Sequence, residues 1–429
     1  MLKDLVTIVV PVYNSEEYIK DNIESVLRQT YTNLEIIYVC DGCTDNTVNI
    51  LKQYVCDKRL IIKEEDNHGA AVSRNLGMEM AHGDWIIFLD ADDIFAENMI
   101  FEMLKAAKNE NADMCCCSYE CFASDICIRQ KVDSSWKKMY CSTYPIVNTK
   151  SELRNIMQIV DKAPWNKLVH KSIYSKEQVY FQDVPNANDV YYSLSASIES
   201  NKMVFLEKAL VYYRSPEGRH SLSTNRNKSR AYVLEAFDKV YNYISFKKDN
   251  TELLVSFYNA VIAEIFGYWD YPILDLLVEQ FLNTYVNKWK MNDRQKMCSL
   301  FSKINRNIYF RIMENNLKET REDILVKERV EVVKKIAEKG CSIWGVGQLG
   351  SSLLGAISKA GITINNVYDT SEDMIGKKIG GYIVKAFDGY EKNMIITTPK
   401  YFDEISKAIR GKVENIYNLE KCIWENNRA

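Results

Sequence analysis

The sequence has no long apolar run. Its most apolar stretch, Leu253 to Leu282, carries Glu264, Asp270, Asp275 and Glu279, so no membrane-spanning helix is expected in it. The short run "VTIVV" follows Asp4 and ends at Pro11, too short for the apolar core of a secretory leader. Charge of one sign is lacking as well. Lys and Arg number 55 against 58 Asp and Glu, a net charge of −3, which argues against nucleic acid as a partner. No internal repeat is visible. The twelve cysteines do not fall into a disulfide framework or a zinc site: Cys115, Cys116 and Cys117 are consecutive, and neighbours on a strand point to opposite faces. Reduced, mostly buried thiols in a cytoplasmic protein are the expectation. Peripheral docking on the inner face of a membrane is left open.

What is present is a chain of 429 residues, enough for two or three domains. Residues 6 to about 120 alternate strands and helices. Val6–Val10, "LEIIYVC", "LIIK" and "WIIFLD" read as strands. Between them lie a helix capped by Ser15 with Ile19, Ile23, Val26 and Leu27 on one face, a helix from Asp45, and the helix "AAVSRNLGMEMA". Fully apolar strands alternating with helices predict a parallel, helix-covered α/β sheet. Residues 140 to 225 are less regular, with a helix in "NANDVYYSLSASIES" and a strand in "LVYYR". Residues 226–338 read as helical throughout. Near residue 340 the pattern resets to strand, glycine turn, helix and strand.

Four polar clusters stand where apolar strands end, the edge at which open α/β sheets bind ligands. Tyr13 follows Pro11 and offers a flat ring for stacking a base. Asp41 ends the second strand, where a carboxylate can accept from a base N–H. Arg74 suits carboxylates or phosphates. The fourth strand runs into Asp90, Asp92 and Asp93. Two carboxylates about 5 Å apart repel by roughly 3 kcal/mol at an effective dielectric near 20, so such crowding calls for a proton or a cation. Hard oxygen ligands suit Mg²⁺ or Mn²⁺, which commonly share such sites with substrate phosphates. Taken singly, the first three clusters also read as a turn, a helix cap or a surface arginine, while the apolar run before the acids makes a solvated acidic turn less attractive; together the four describe a nucleotide-diphosphate site.

The stretches "VTIVVPVYNSEEYI", "ESVLRQTYTNLEIIYVCDG" and "NHGAAVSRNLGMEMAHGDWIIFLDADD" resemble the family 2 inverting glycosyltransferases of the glycosyltransferase-A fold, over about residues 5 to 225. The resemblance implies that Pro11, Tyr13 and Asp41 contact uracil. Asp90 would lie near the ribose, and Asp92, the second acid of a DxD motif, would bind Mn²⁺ or Mg²⁺ on the diphosphate of a UDP-sugar donor. The family's acid pair after a "W-x-K-L" segment matches Asn188–Asp189: the Glu is lost, and Asp189 is kept as the implied general base, with Asp183 as its backup. Trp165 and Lys167 match the segment lining the sugars. "YYRSPEGRHSLS" matches a closing strand and loop, so Arg214, Arg219 and His220 would reach the diphosphate, His220 as an added metal ligand. Two further departures are Cys40 where a second acid is common and Cys43 where Ser is common.

The expected organisation is therefore a catalytic domain over 1–225, a helical acceptor region over 226–338 and a small Rossmann-like domain over 339–429. The last carries Gly345, Gly347 and Gly350 in GxGxxG spacing, with Asp369 ending the next strand. Docking or self-association, binding of a nucleotide, and a second activity are its possible roles, in that order. The acceptor would be a glycan, a lipid-linked or a protein hydroxyl in bacterial surface polysaccharide or glycoconjugate synthesis. A sugar nucleotidyltransferase would need a Gly- and Arg-rich loop after the first strand, which "PVYNSEEY" lacks. A catalytically degenerate scaffold is the other alternative, motivated by the acids lost at Cys40 and Asn188.

Overall fold

The computed structural model describes residues 2–123, 126–127, 129–132, 146–148, 153–215, 226–248, 250–266, 277–314, 321–398, 402–419 and 422. The chain forms two compact units, Met1–Val261 with Tyr271–Asn292, and Ile262–Asp270 with Asp293–Ala429.

The first unit opens with β1 (Val6–Val12), α1 (Ile19–Leu27), β2 (Leu34–Asp41), α2 (Thr47–Lys52), β3 (Leu60–Glu65), α3 (Ala70–Met80) and β4 (Trp85–Phe88). This is the alternation read from the sequence. Helix α1 starts later than expected. The Ser15 side chain donates to the Tyr13 carbonyl instead of capping, and the Ser15 carbonyl accepts from Tyr18 and Ile19 N–H. Asp45 does hold the start of α2, accepting from Thr47 N–H at 3.0 Å.

Next come β5 (Ile94–Phe95), α4 (Met99–Glu110), β6 (Met114–Phe122), β7 (Arg129–Val132), β8 (Ile146–Asn148), α5 (Ile156–Ile159), β9 (Lys167–His170), α6 (Lys171–Tyr174), α7 (Asn188–Glu199) and β10 (Lys202–Arg214). Strands β3-β2-β1-β4 are parallel, as expected. Beyond them the sheet is mixed, which the sequence reading did not anticipate: β9 runs antiparallel between β4 and β6, and β10 pairs parallel with β6 and antiparallel with β5. The reason is that β9 arrives from a long excursion after β6 rather than from a helical crossover, so nothing forces it parallel.

Strands β1 and β4 are buried on both faces, hence their unbroken apolar runs: Val6, Ile8, Val9, Val10, Ile86, Ile87 and Phe88 are all fully buried, whereas β3 at the sheet edge is partly exposed. Helix α3 lies unusually close to this layer. A Cβ at Gly77 would come within 2.2 Å of Val9 Cγ1, so only glycine allows the approach that sets Arg74, one turn earlier, over the sheet edge. Helices α8 (Arg226–Ser245) and α9 (Thr251–Phe266) follow. Glu199 at the end of α7 accepts from Lys247 and Tyr243 of the α8 region and from Lys176.

The second unit includes α10 (Arg294–Leu300), α11 (Lys303–Met313), α12 (Arg321–Ala337), β11 (Ser342–Trp344), α13 (Gln348–Lys359), β12 (Val367–Tyr368), β13 (Lys378–Ile379), β14 (Tyr382–Lys385), β15 (Glu391–Ile396), α14 (Phe402–Ile409) and β16 (Val413–Asn418). Its sheet has the order β13-β14-β12-β11-β15-β16, parallel except for β13. The glycine turn is as tight as its spacing implies: a Cβ at Gly350 would meet the Gly345 carbonyl oxygen at 2.0 Å. Asp369 folds back over that turn. Its Oδ2 accepts from Val346 N–H at 2.7 Å and its Oδ1 from Ser371 N–H at 2.9 Å. No helix among the described residues is long and apolar enough to cross a membrane.

Candidate active site

The ends of β1, β2 and β4 and the starts of α3 and α7 meet along one edge of the first sheet. Pro11 is half-buried within β1, and Tyr13 beyond it is 53% exposed. Asn14 follows in a left-handed conformation (φ 42°) and ties this end to the loop after β2: its Nδ2 donates to Thr44 Oγ1 at 3.1 Å, and its Oδ1 accepts from Thr44 N–H at 2.8 Å. Asp41 is buried at the end of β2. Its two carboxylate oxygens accept from His68 N–H (2.7 Å) and Gly69 N–H (2.9 Å), holding the turn that launches α3. Each oxygen keeps a second lone pair for a ligand. Asp41 also lines a cavity of about 300 Å³ with Asp66, His68, Ser73 and Glu79. Cys40 and Cys43 flank it in C-x-x-C spacing, a pair the sequence reading leaves out. Burial pushes both thiols up, Cys40 to about 12, into the unreactive range.

Arg74 is no surface arginine. Its side chain is 9% exposed. Nη2 donates to Asp90 Oδ1 at 2.7 Å, Nη1 donates to Asn188 Oδ1 at 3.0 Å, and the guanidinium lies 5.3 Å from the Phe181 ring centre. One side chain thus joins the acid turn after β4 to the first residue of α7.

The acid turn is closed by Asp93 N–H donating to the Asp90 carbonyl at 3.3 Å. Carboxylate oxygens of Asp90, Asp92 and Asp93 lie within 4.8 Å of one another. Asp90 and Asp92 are half-buried; Asp93 is wholly buried. Its Oδ1 accepts from Arg214 N–H at 2.9 Å, while its Oδ2 is buried and has no hydrogen-bond partner among the described residues. Burial, then the negative Asp92 and Asp90 beside it, pushes the Asp93 carboxyl well above the usual range. Three converging hard oxygens, one orphaned and buried, suit Mg²⁺ or Mn²⁺ as part of an oxygen donor set, so the residues fit a divalent cation.

Asp189 stands in the first turn of α7, after Ala187 in a left-handed conformation (φ 58°). Burial raises its pKa, Arg74 opposes that, and Asp90 adds to it. Asp183, the backup base, is exposed. Lys167 is wholly buried and does not present its ammonium to solvent: Nζ donates to the Ala163 carbonyl and to Asn166 Oδ1, and burial lowers its pKa. Trp165 is 7% exposed, edge-on to Tyr119 and stacked on Tyr213 with centroids 5.8 Å apart. Arg214, expected at the diphosphate, is turned to the acid turn's backbone: Nε donates to the Asp92 carbonyl at 2.8 Å, and the guanidinium sits between Tyr18 and Phe122. Arg219 and His220 lie outside the described residues.

Sequence reasoning missed Asn22. Its signal was present: it is three residues after Ile19 and one before Ile23, a polar residue on the apolar face of α1. Its structural partners are the Asp90 and Asp93 carbonyls.

Residues 7–175 match the family model "Glycosyl transferase family 2". Among curated proteins, the chain is 28% identical over 222 residues to the glycosyltransferase GlyA of Streptococcus pneumoniae serotype 4, covering 51% of this chain and 32% of that protein. The chain thus spans about a third of that relative's length. It is 30% identical over 236 residues to the putative teichuronic acid biosynthesis glycosyltransferase TuaG of Bacillus subtilis, covering 51% of this chain and 90% of TuaG. The fold is similar to that of S. aureus TarS 1-349 solved in complex with UDP-GlcNAc, with a TM-score of 0.58 at 18% identity, covering 76% of this chain and 91% of that one. With a family-model match over β1 to α6 and a relative covered over nearly its whole length, this chain belongs to glycosyltransferase family 2, on a glycosyltransferase-A fold.

Proposed function

We propose that the chain is an inverting, metal-dependent hexosyl- or N-acetylhexosaminyltransferase. It moves a sugar from a UDP-sugar to the hydroxyl of a glycan, lipid-linked or protein acceptor. The observation that carries this reading is Arg74, whose guanidinium binds Asp90 and Asn188 together and so brings the acid turn beside Asp189.

In this reading Tyr13 stacks on the uracil, Pro11 flanks it, and Asp41 accepts from its N–H through a free lone pair. Asp90 faces the ribose. Asp92 would hold Mn²⁺ or Mg²⁺, which when bound would supply positive charge at the diphosphate leaving group. Asp189 takes the proton of the acceptor hydroxyl as it attacks the anomeric carbon from the side opposite the diphosphate. The carboxyl's raised pKa makes its ionised form a stronger base than a solvated aspartate. No covalent enzyme intermediate is required, and much of the rate comes from holding donor and acceptor in line. Lys167 and Asn166 stiffen the acceptor-side loop, and Trp165 with Tyr213 walls it.

The catalytic domain takes residues 1–225, the helical region 226–338 receives the acceptor, and 339–429 is a Rossmann-like domain for docking or self-association. Asp369 spends one oxygen on the glycine turn, at Val346 N–H, and the other on Ser371 N–H, which favours that role over nucleotide binding. TarS, bound to UDP-GlcNAc, supports the donor class, and TuaG, named for teichuronic acid biosynthesis, supports a role in surface polysaccharide synthesis. The test is release of UDP from a panel of UDP-sugars with and without Mn²⁺. Turnover of one donor, lost in Asp92→Ala together with UDP affinity, is expected. No turnover of any donor, with UDP affinity unchanged in Asp92→Ala, refutes it.

A further inference from the structure

We propose that Asn22, oriented by Tyr38, is a positioning residue for the acid turn, and that it tunes the turn's affinity for a divalent cation. Asn22 acts this way only if Asp90–Asp93 holds such a cation, as the proposed function has it.

Asn22 is wholly buried on the apolar face of α1, among Ile19, Ile23 and Val26. A buried amide on such a face is costly unless every polar atom is satisfied. All of them are. Nδ2 donates to the Asp90 carbonyl at 2.8 Å and to the Asp93 carbonyl at 2.9 Å. Oδ1 accepts from the Tyr38 hydroxyl at 2.7 Å, and Tyr38, from the middle of β2, is itself wholly buried. A hydroxyl donor on one side and two carbonyls on the other leave the amide only one orientation.

Both N–H bonds of this amide therefore serve the acid turn and nothing else. Arg214 Nε anchors a third carbonyl, that of Asp92. Three peptide oxygens of Asp90–Asp93 are thus drawn into the protein, while the Asp90 and Asp92 carboxylates stay half-exposed beside the buried Asp93. Carboxylates that repel one another stay converged only if the backbone beneath them cannot turn away. Outer partners that hold a ligand set in this way typically change metal affinity by about 10–100-fold when lost.

A matched control sits just beyond the same helix. Gln29 is also a buried amide; its Nε2 donates to the Ala96 carbonyl at 2.7 Å and its Oε1 accepts from Ile100 N–H at 3.1 Å. It braces the chain after the acid turn but makes no hydrogen bond to residues 90–93.

The experiment titrates Mn²⁺ into the full chain and reads free Mn²⁺ by electron paramagnetic resonance. Thermal unfolding is measured in parallel. Asn22→Asp, which loses the paired donors at nearly constant shape, should weaken Mn²⁺ binding by roughly 10-fold or more. Tyr38→Phe should weaken it by about 3-fold, because the amide loses its orienting partner. Gln29→Glu should lose stability yet bind Mn²⁺ within about 2-fold of wild type. Wild-type affinity in both Asn22→Asp and Tyr38→Phe overturns the proposal, as does equal weakening in Gln29→Glu. Should Asn22→Asp fail to fold, Tyr38→Phe against Gln29→Glu decides. A wild-type chain that binds no Mn²⁺ refutes the metal reading itself and this role with it; binding by wild type with unperturbed variants refutes only the role of Asn22.

Discussion

Replacing Arg74 with alanine tests whether the acid turn and the start of α7 are held by one side chain. The Arg74–Asp90 bond is charge-assisted, 2.7 Å long, and only 9% and 27% exposed at its two side chains, so solvent screens it weakly. Such a bond contributes about 2 kcal/mol, and the bond from the same guanidinium to the neutral Asn188 amide about 1 kcal/mol. The guanidinium over Phe181 adds about 1 kcal/mol. Against this, Arg74 Nε is buried without a partner among the described residues, and removing it returns about 1–2 kcal/mol. The net loss is about 2–3 kcal/mol, or a fall in the first unit's Tm of roughly 3–5 °C. Transfer should fall by more than folding does, because Asp90 and Asp189 are no longer tied to one anchor. Arg74→Lys keeps the charge but cannot span two partners with one ammonium, so it should recover only part of both. Scanning calorimetry and UDP release under saturating donor measure the two effects. A stability loss under about 0.5 kcal/mol with transfer intact would show that the guanidinium bridges nothing of consequence.

Asp189→Asn should bind UDP and Mn²⁺ as before while losing transfer; retained transfer would move the base elsewhere. Because burial raises the Asp189 pKa above 3.8, its stabilising contribution is complete below pH 3.8 and is lost as pH rises through the folded value. The Asn variant should therefore gain on wild type at neutral pH, and an unchanged difference across an acid titration of stability would contradict this. Glu199 runs the other way. Burial opposes its ionisation, but hydrogen bonds from Lys176, Lys247 and Tyr243 hold its pKa at about 2, below the usual 4.5. Its contribution is present above pH 4.5 and lost as pH falls through about 2, so Glu199→Gln should be less stable at neutral pH and converge with wild type in acid. Deleting residues from 338 onward should leave UDP binding intact by calorimetry; loss of binding in a folded truncation would give the carboxy-terminal domain a share of the donor site.

The strands and helices that matter most were legible because each is an unbroken local pattern. β1, β2 and β4 are apolar on both faces, and a strand of that kind has no other place to go than the middle of a covered parallel sheet. Strand-end acids such as Asp41 and Asp90 were legible for the same reason, since their position on the edge follows from where the apolar run stops. The antiparallel insertion of β9 was not, because strand direction depends on the route of the connection and leaves no mark in four residues. Nor could spacing alone reveal that Arg74 spans 114 positions to reach Asn188, or that Arg214 donates to the Asp92 carbonyl. Asn22 shows the division most clearly. Helical periodicity puts a polar residue on a buried face and so announces that it must have partners; which partners, Tyr38 and the two carbonyls of the acid turn, exist only once β2, α1 and the end of β4 are packed together. Local patterns decide which groups are buried and which stand at an edge. Packing alone decides which of those groups meet, because a hydrogen bond needs its two atoms within about 3 Å and no stretch of sequence encodes that distance.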